Sequence, residues 1–118
     1  ELVSTWPQNL SLEELYLASQ GLDPESELFQ EIFDVAVRMY PDDAIANLNA
    51  ANVAMQRGDL KSAKKYIERA GNMPEAIYAR GVLAVLQENF EAARGFFLTA
   101  AALGIKEAET QIEELSGR

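Results

Sequence analysis

The chain has 118 residues, 48% hydrophobic and 25% charged, which suits one folded domain with a buried core and excludes disorder as a description of the whole. With 19 Asp plus Glu against 10 Lys plus Arg, the formal net charge is -9; such a surface repels phosphate backbones and anionic headgroups, so no nucleic-acid partner is expected. Cys and His are both absent, which removes disulfides, thiol nucleophiles, imidazole bases and the usual zinc ligands.

Residues 1–9 contain Trp6-Pro7, show no period and read as a linker entering from an upstream region. Trp6 is expected to be a packing anchor on the first helices rather than a ligand contact. The sequence starts at Glu1 without Met, with no signal segment and no apolar stretch near the length of a membrane span. It is therefore expected to be an internal or C-terminal piece of a longer protein, without direct membrane insertion.

Helix punctuation is regular from Ser11 onward. Ser11 and Glu14 form a capping box ahead of Leu12, Leu15 and Tyr16, and Gly21 can close this first helix. Asp23-Pro24 predicts a second helix start, with Asp as the cap and Pro in the first turn. Its helically spaced apolar residues run from Leu28 to Met39, and Pro41 stops it. Asp42 or Asp43 caps a third helix to about Arg57, with Gly58 just past its end. Asp59 caps a fourth, ending near Ala70 and Gly71; Pro74 opens a fifth to about Gln87; Asn89 caps a sixth, closed by Gly104. A seventh, roughly Lys106 to Leu115, puts Ile105, Ala108, Ile112 and Leu115 on one face. No stretch sustains the alternation of a strand, so the fold class is all-α.

The fourth and sixth helices repeat one another. Asp59 matches Asn89, Leu60 matches Phe90, Ala63 matches Ala93, Ile67 matches Phe97 and Ala70 matches Ala100, always 30 residues apart. One unit earlier, Phe33 and Ala36 match Ile67 and Ala70 at an offset of 34. Small residues belong where helices approach closely, and a lone hairpin cannot bury its apolar face, so such units stack.

From about Leu10 to Gly104 these residues resemble the tetratricopeptide repeat. Its pattern of a small residue in helix A, a turn, then Ala, a bulky apolar residue and Ala in helix B is met by Ala51, Gly58-Asp59-Leu60, Ala63, Ile67 and Ala70. It is met again by Gly81, Glu88-Asn89-Phe90, Ala93, Phe97 and Ala100. The resemblance implies a right-handed helix-hairpin solenoid of about three repeats, residues 10–43, 44–73 and 74–104, with a capping helix at 105–116. The first repeat is degenerate, with Leu17 in the small position and Phe29 in the first Ala position. The spacing of 30 between the later repeats implies a missing turn of helix around Gly71 to Pro74. Arg80 stands where the family usually has a large apolar residue, and is expected to be buried and paired with a carboxylate.

The sequence from Ser11 to Leu86 also resembles, more closely, the C-terminal repeat region of a cell-envelope family of Gram-negative anaerobes, in which an uncharacterised N-terminal region comes first. That resemblance implies a secreted setting, periplasmic or associated with the outer membrane, for the longer protein.

Enzymatic chemistry is not expected. No Gly-rich phosphate loop follows a strand, and Ser residues lack a base of useful pKa. The pairs Glu13-Glu14, Asp42-Asp43 and Glu113-Glu114 are sequence neighbours that diverge on a helix and do not converge on a bond. No calcium loop is present and no cofactor is implied. What remains is the surface along the A helices, where tetratricopeptide domains usually hold peptides. Ile45, Leu48, Asn49, Asn52 and Gln56 from one helix, and Glu75, Tyr78, Val82 and Leu86 from another, are the groove candidates. Of these, Asn49, Asn52, Gln56, Tyr78, Val82 and Leu86 are the expected partner-binding residues, Asn and Gln bonding a peptide backbone and the others giving apolar contact. The cationic clamp by which some of the family grip C-terminal carboxylates is rejected, because its positions fall on Glu14, Glu75 and Ala79, with only Asn49 agreeing. The partner is therefore expected to be a neutral or basic protein or peptide. The expected function is a protein-interaction or scaffolding module; the alternative is a structural spacer or oligomerisation domain, with the groove filled by Leu2, Val3 and Trp6 or by a second copy.

Overall fold

A computed structural model describes residues 11–23 and 26–117. The linker at 1–9, with Leu2, Val3, Trp6 and the role expected of each, lies outside the described residues, as does Pro24.

Seven helices and no strand are found among the described residues: α1 (Leu12–Ser19), α2 (Glu27–Met39), α3 (Ala44–Gln56), α4 (Leu60–Ala70), α5 (Pro74–Leu86), α6 (Phe90–Ala102) and α7 (Lys106–Ser116). Each helix packs on the next in the chain, and α5 also touches α3. The molecule measures 53 × 24 × 24 Å.

The chain turns back sharply because one residue both ends a helix and starts the next. At the end of α3, the Gly58 amide donates to Met55 O (3.1 Å) and the Asp59 amide to Ala54 O (2.9 Å). The same pair of bonds recurs after α5, from Glu88 to Val85 and Asn89 to Ala84, and after α6, from Gly104 to Ala101 and Ile105 to Ala100. This crossed pairing satisfies carbonyls that a helix end would leave open, and needs a left-handed residue at its centre. Gly58 (φ 79°) and Gly104 (φ 104°) supply it without a side-chain clash, whereas Glu88 takes it at φ 60°. Asp59 then accepts from the Ser62 amide (3.1 Å) and Asn89 from the Ala92 amide (3.2 Å), which caps α4 and α6.

Small residues carry the contacts between helices. Ala51, Ala63, Ala70, Gly81, Ala93 and Ala100 are all buried. A methyl group added at Gly81 would lie 2.5 Å from Cε1 of Phe97, so the ring occupies the volume that a side chain would need. Phe97 is itself fully buried, with Ala84, Ala93, Ala100 and Ala108 in its cluster. At the open end of this cluster α7 lays Ala108 inward, with Ile105, Ile112 and Leu115 partly buried around it, on the face expected from their spacing.

Three expectations are corrected. The second helix is capped by Ser26, whose Oγ accepts from the Phe29 amide (3.2 Å), and not by Asp23. A cap there must bond an amide two or three residues on, and the helical segment begins only at Glu27. The connection between α1 and α2 is thus longer than the later hairpin turns, which shifts α1 out of the 34-residue register. Leu17 is 67% exposed, and Leu15 and Ser19 are the buried residues of that helix. Arg80 has no carboxylate partner among the described residues. Its Nη2 donates to Gly71 O (2.7 Å) and its Nη1 to Asn72 Oδ1 (3.2 Å). The short junction after α4 leaves that carbonyl open at Gly71 (φ 83°), and Arg80, half-buried on α5, reaches back to bond it.

Candidate functional site

The facing sides of α3 and α5 leave an open groove. One hollow of about 460 Å³ is lined by Asn49, Asn52, Val53, Met55 and Gln56 of α3, Val82 and Leu86 of α5, and Phe29 of α2. A second, of about 370 Å³, is lined by Leu48, Asn52, Glu75, Tyr78, Ala79 and Val82, with Ile105 and Glu107 from the start of α7. Asn52 and Val82 belong to both, so the two form one groove running along the helices.

Five of the six expected residues, Asn49, Asn52, Gln56, Val82 and Leu86, thus meet in the first hollow, and Tyr78 lies in the second. They come together because each pair sits three or four residues apart on its helix, which puts them on one face. Their freedom differs. Asn52, Gln56 and Leu86 are exposed. One N–H of the Asn49 amide donates to Ile45 O on its own helix (3.0 Å), which leaves its second N–H and its Oδ1 as further hydrogen-bonding groups. Tyr78 is half-buried, with its ring 5.3 Å from that of Phe97, so it is shared between groove and core. Ile45 is exposed but does not reach either hollow.

Phe29, Met55, Ile105 and Glu107 are lining residues that sequence reasoning missed. Met55 was open to detection, being three residues from Asn52 on the same helix. Phe29 and Ile105 come from other hairpins, and only packing brings them in.

The groove is electrically one-sided. Among the described residues neither hollow has a Lys or Arg in its wall, and the second has Glu75 and Glu107. Burial, then the charge of Glu107 and, more weakly, of Glu114, pushes the Tyr78 hydroxyl up from its ordinary pKa, a hydrogen bond with Gln111 acting the other way. The one ion pair among the described residues, Arg57 to Asp34 (3.3 Å), joins α2 to the end of α3; Arg57 Nε also donates to Gln30 Oε1 (2.9 Å). At the other end of α3, the Tyr16 hydroxyl donates to Asp43, whose carboxylate also accepts from the Ala46 amide (2.8 Å). Burial first, and then this bond and the charge of Asp43, raise the Tyr16 pKa. Asn47, fully buried, donates from Nδ2 to Pro41 O and Asp43 O, both at 2.8 Å. These polar contacts fix α3 at both ends against the first hairpin and so hold one wall of the groove.

A third hollow, of about 270 Å³, lies on the outer side among Lys64, Glu68, Arg80, Gln87 and Phe96. No three His, Cys, Asp or Glu side chains among the described residues converge as a metal site would require. None of the described helices is long and apolar enough to cross a membrane. No family model matches the chain, and no curated protein matches it.

Proposed function

We propose that this chain is a tetratricopeptide-like solenoid that serves as a protein-interaction module of a larger bacterial envelope protein, and that it holds a segment of its partner in the groove between α3 and α5. The observation that carries this reading is the continuous groove of two hollows sharing Asn52 and Val82. A repeat architecture is supported by α5 packing on both α4 and α3, as successive hairpins of a stacked array do. It is also supported by the recurrence of buried and exposed positions from 51–70 to 81–100, where eighteen of twenty positions agree. The exposed amides of Asn52 and Gln56 and the exposed apolar Leu86 lie together on the A helices α3 and α5, whereas the buried face of α4 and α6 is Ala63, Ile67, Ala70, Ala93, Phe97 and Ala100. The envelope setting rests on the resemblance of the sequence alone.

The test uses the whole chain, immobilised, with envelope extract of a Gram-negative anaerobe passed over it. Asn52→Ala/Leu86→Ala changes two exposed groove residues, and Lys64→Ala on α4 is the control. The expected result is a partner held by the wild type and the control and lost by the groove variant. A partner retained by the groove variant and lost by the control would place binding on the outer side. No specific capture by any of the three would favour the spacer.

A further inference from the structure

The groove has two unlike ends, and the difference specifies what fits it. At the start of α5 and α7 its wall carries Glu75 and Glu107, both exposed and neither in an ion pair among the described residues. Two full carboxylates outweigh the partial positive charge that helix starts present there. At the far end the wall is apolar, with Phe29, Met55 and Leu86 around the larger hollow. Between them stands Asn52, shared by both hollows, and Gln56 adds a second exposed amide beside the larger one; both can donate to and accept from a peptide backbone. Glu75 and Leu86 are eleven positions apart on α5, about 16 Å along its axis, which an extended chain covers in about five residues.

We propose that the groove takes an extended peptide in which a Lys or Arg lies about five residues from a large apolar side chain, the cation at the Glu75–Glu107 end and the apolar group in the hollow bounded by Phe29 and Leu86. This rests on the groove being the partner surface, and adds the chemistry, spacing and polarity of the ligand. A second copy of this chain is a poor occupant, because each copy brings a net charge of -9.

The test titrates labelled peptides of Ala and Ser, each carrying one Phe and one Lys about two, five or eight residues apart in both orders, with anisotropy as the readout. Matched peptides replace Lys by Gln or Glu. The Phe/Lys peptide of intermediate spacing, in one order, is expected to bind tightest. Raising salt from about 20 to about 200 mM should weaken it and leave the Phe/Gln peptide unchanged. Glu75→Gln/Glu107→Gln should cost the Lys peptide about fivefold in affinity and the Gln peptide nothing. Both residues are exposed, and a matching thermal melt verifies that the variant is folded. Equal binding of Lys and Gln peptides, both abolished by Asn52→Arg, would overturn the charge rule and leave the groove as the partner surface. Binding indifferent to Asn52→Arg would overturn both. Absence of binding by any peptide at about 1 mM would overturn the proposed ligand and leave the capture experiment above to judge the groove.

Discussion

The hairpins α3–α4 and α5–α6 have the same frame and different contents. Their turns make the same crossed hydrogen bonds, their caps stand at Asp59 and Asn89, and Ala63 and Ala93 are fully buried at the same place in the second helix. Inside, Ala51 shares a buried cluster with Ile67, whereas Gly81 faces the ring of Phe97. A residue that loses its side chain is matched by a partner that gains a ring, so volume is conserved across the pair and not at either position. Where neighbours differ, the hairpins differ: Ala50 is buried, while Arg80, at the equivalent place, crosses to bond Gly71 at the short junction after α4. The frame is set by local turn chemistry, and what fills it is set by what each hairpin meets next.

The largest effect should come from removing what covers the second of these hairpins. Truncation after Gly104 takes away Ala108, Ile112 and Leu115, and leaves the Phe97 cluster open where α5 closes the Ile67 cluster with Ala79 and Leu83. Light scattering should show dimers or aggregates of the truncated chain. A truncated chain that stayed monomeric with an unchanged melt would mean that α7 is no cap.

Next in size is the paired volume. Gly81→Ala should cost about 1–2 kcal/mol, since overpacking against a buried ring exceeds the helix propensity gained. Gly81→Ala/Phe97→Ile rebuilds the content of the α3–α4 hairpin, and should be less destabilised than the sum of its single variants by about 1 kcal/mol. Urea denaturation of the four proteins measures this; strict additivity would break the comparison.

A smaller effect is expected at the turns. Glu88→Gly should gain about 0.5 kcal/mol, by relieving a left-handed side chain at the cost of backbone entropy, and Gly58→Glu should lose about 1 kcal/mol. The same denaturation series detects both signs.

The smallest effect separates the two caps by pH. Hydrogen bonds from the Ser62 hydroxyl and amide hold the Asp59 carboxylate below its ordinary pKa, whereas Asn89 does not titrate. The folded pKa is the lower one, so Asp59 contributes stability above its unfolded value, near 4, and loses it as pH falls through the folded value. Asp59→Asn should therefore make the fall in stability between about pH 5 and pH 2 shallower than in the wild type. An identical slope would show that the cap charge has no part in it.

The difference between what sequence could and could not reveal follows the same division. Ser11, Asp59, Pro74 and Asn89, and the pair Asp42-Asp43 of which Asp43 is the cap, are legible as helix starts because capping acts over three residues of chain. Ala63, Ala93 and Ala108 are legible because burial repeats with the helix. Leu17 is misread because register was carried back by counting, and the connection before Ser26 breaks the count. Arg80 is misread because its partner is a carbonyl left open by a turn, which has no signature in residue types. In the groove, Asn49, Asn52, Gln56, Val82 and Leu86 follow from helical spacing on α3 and α5. The back-bond from Asn49 to Ile45, the contact of Tyr78 with Phe97, and the walls given by Phe29 and Glu107 depend on packing between hairpins.

The most direct test of the groove is a titration of the isotopically labelled chain with the Phe/Lys peptide, followed through the side-chain amide signals of Asn and Gln. The groove wall supplies Asn49, Asn52 and Gln56, and the outer hollow supplies Gln87 and Asn89. Saturable shifts of the first three, with Gln87 and Asn89 unmoved, are the predicted result. Shifts confined to Gln87 and Asn89 would contradict it and move the binding surface to the hollow beside Lys64 and Arg80.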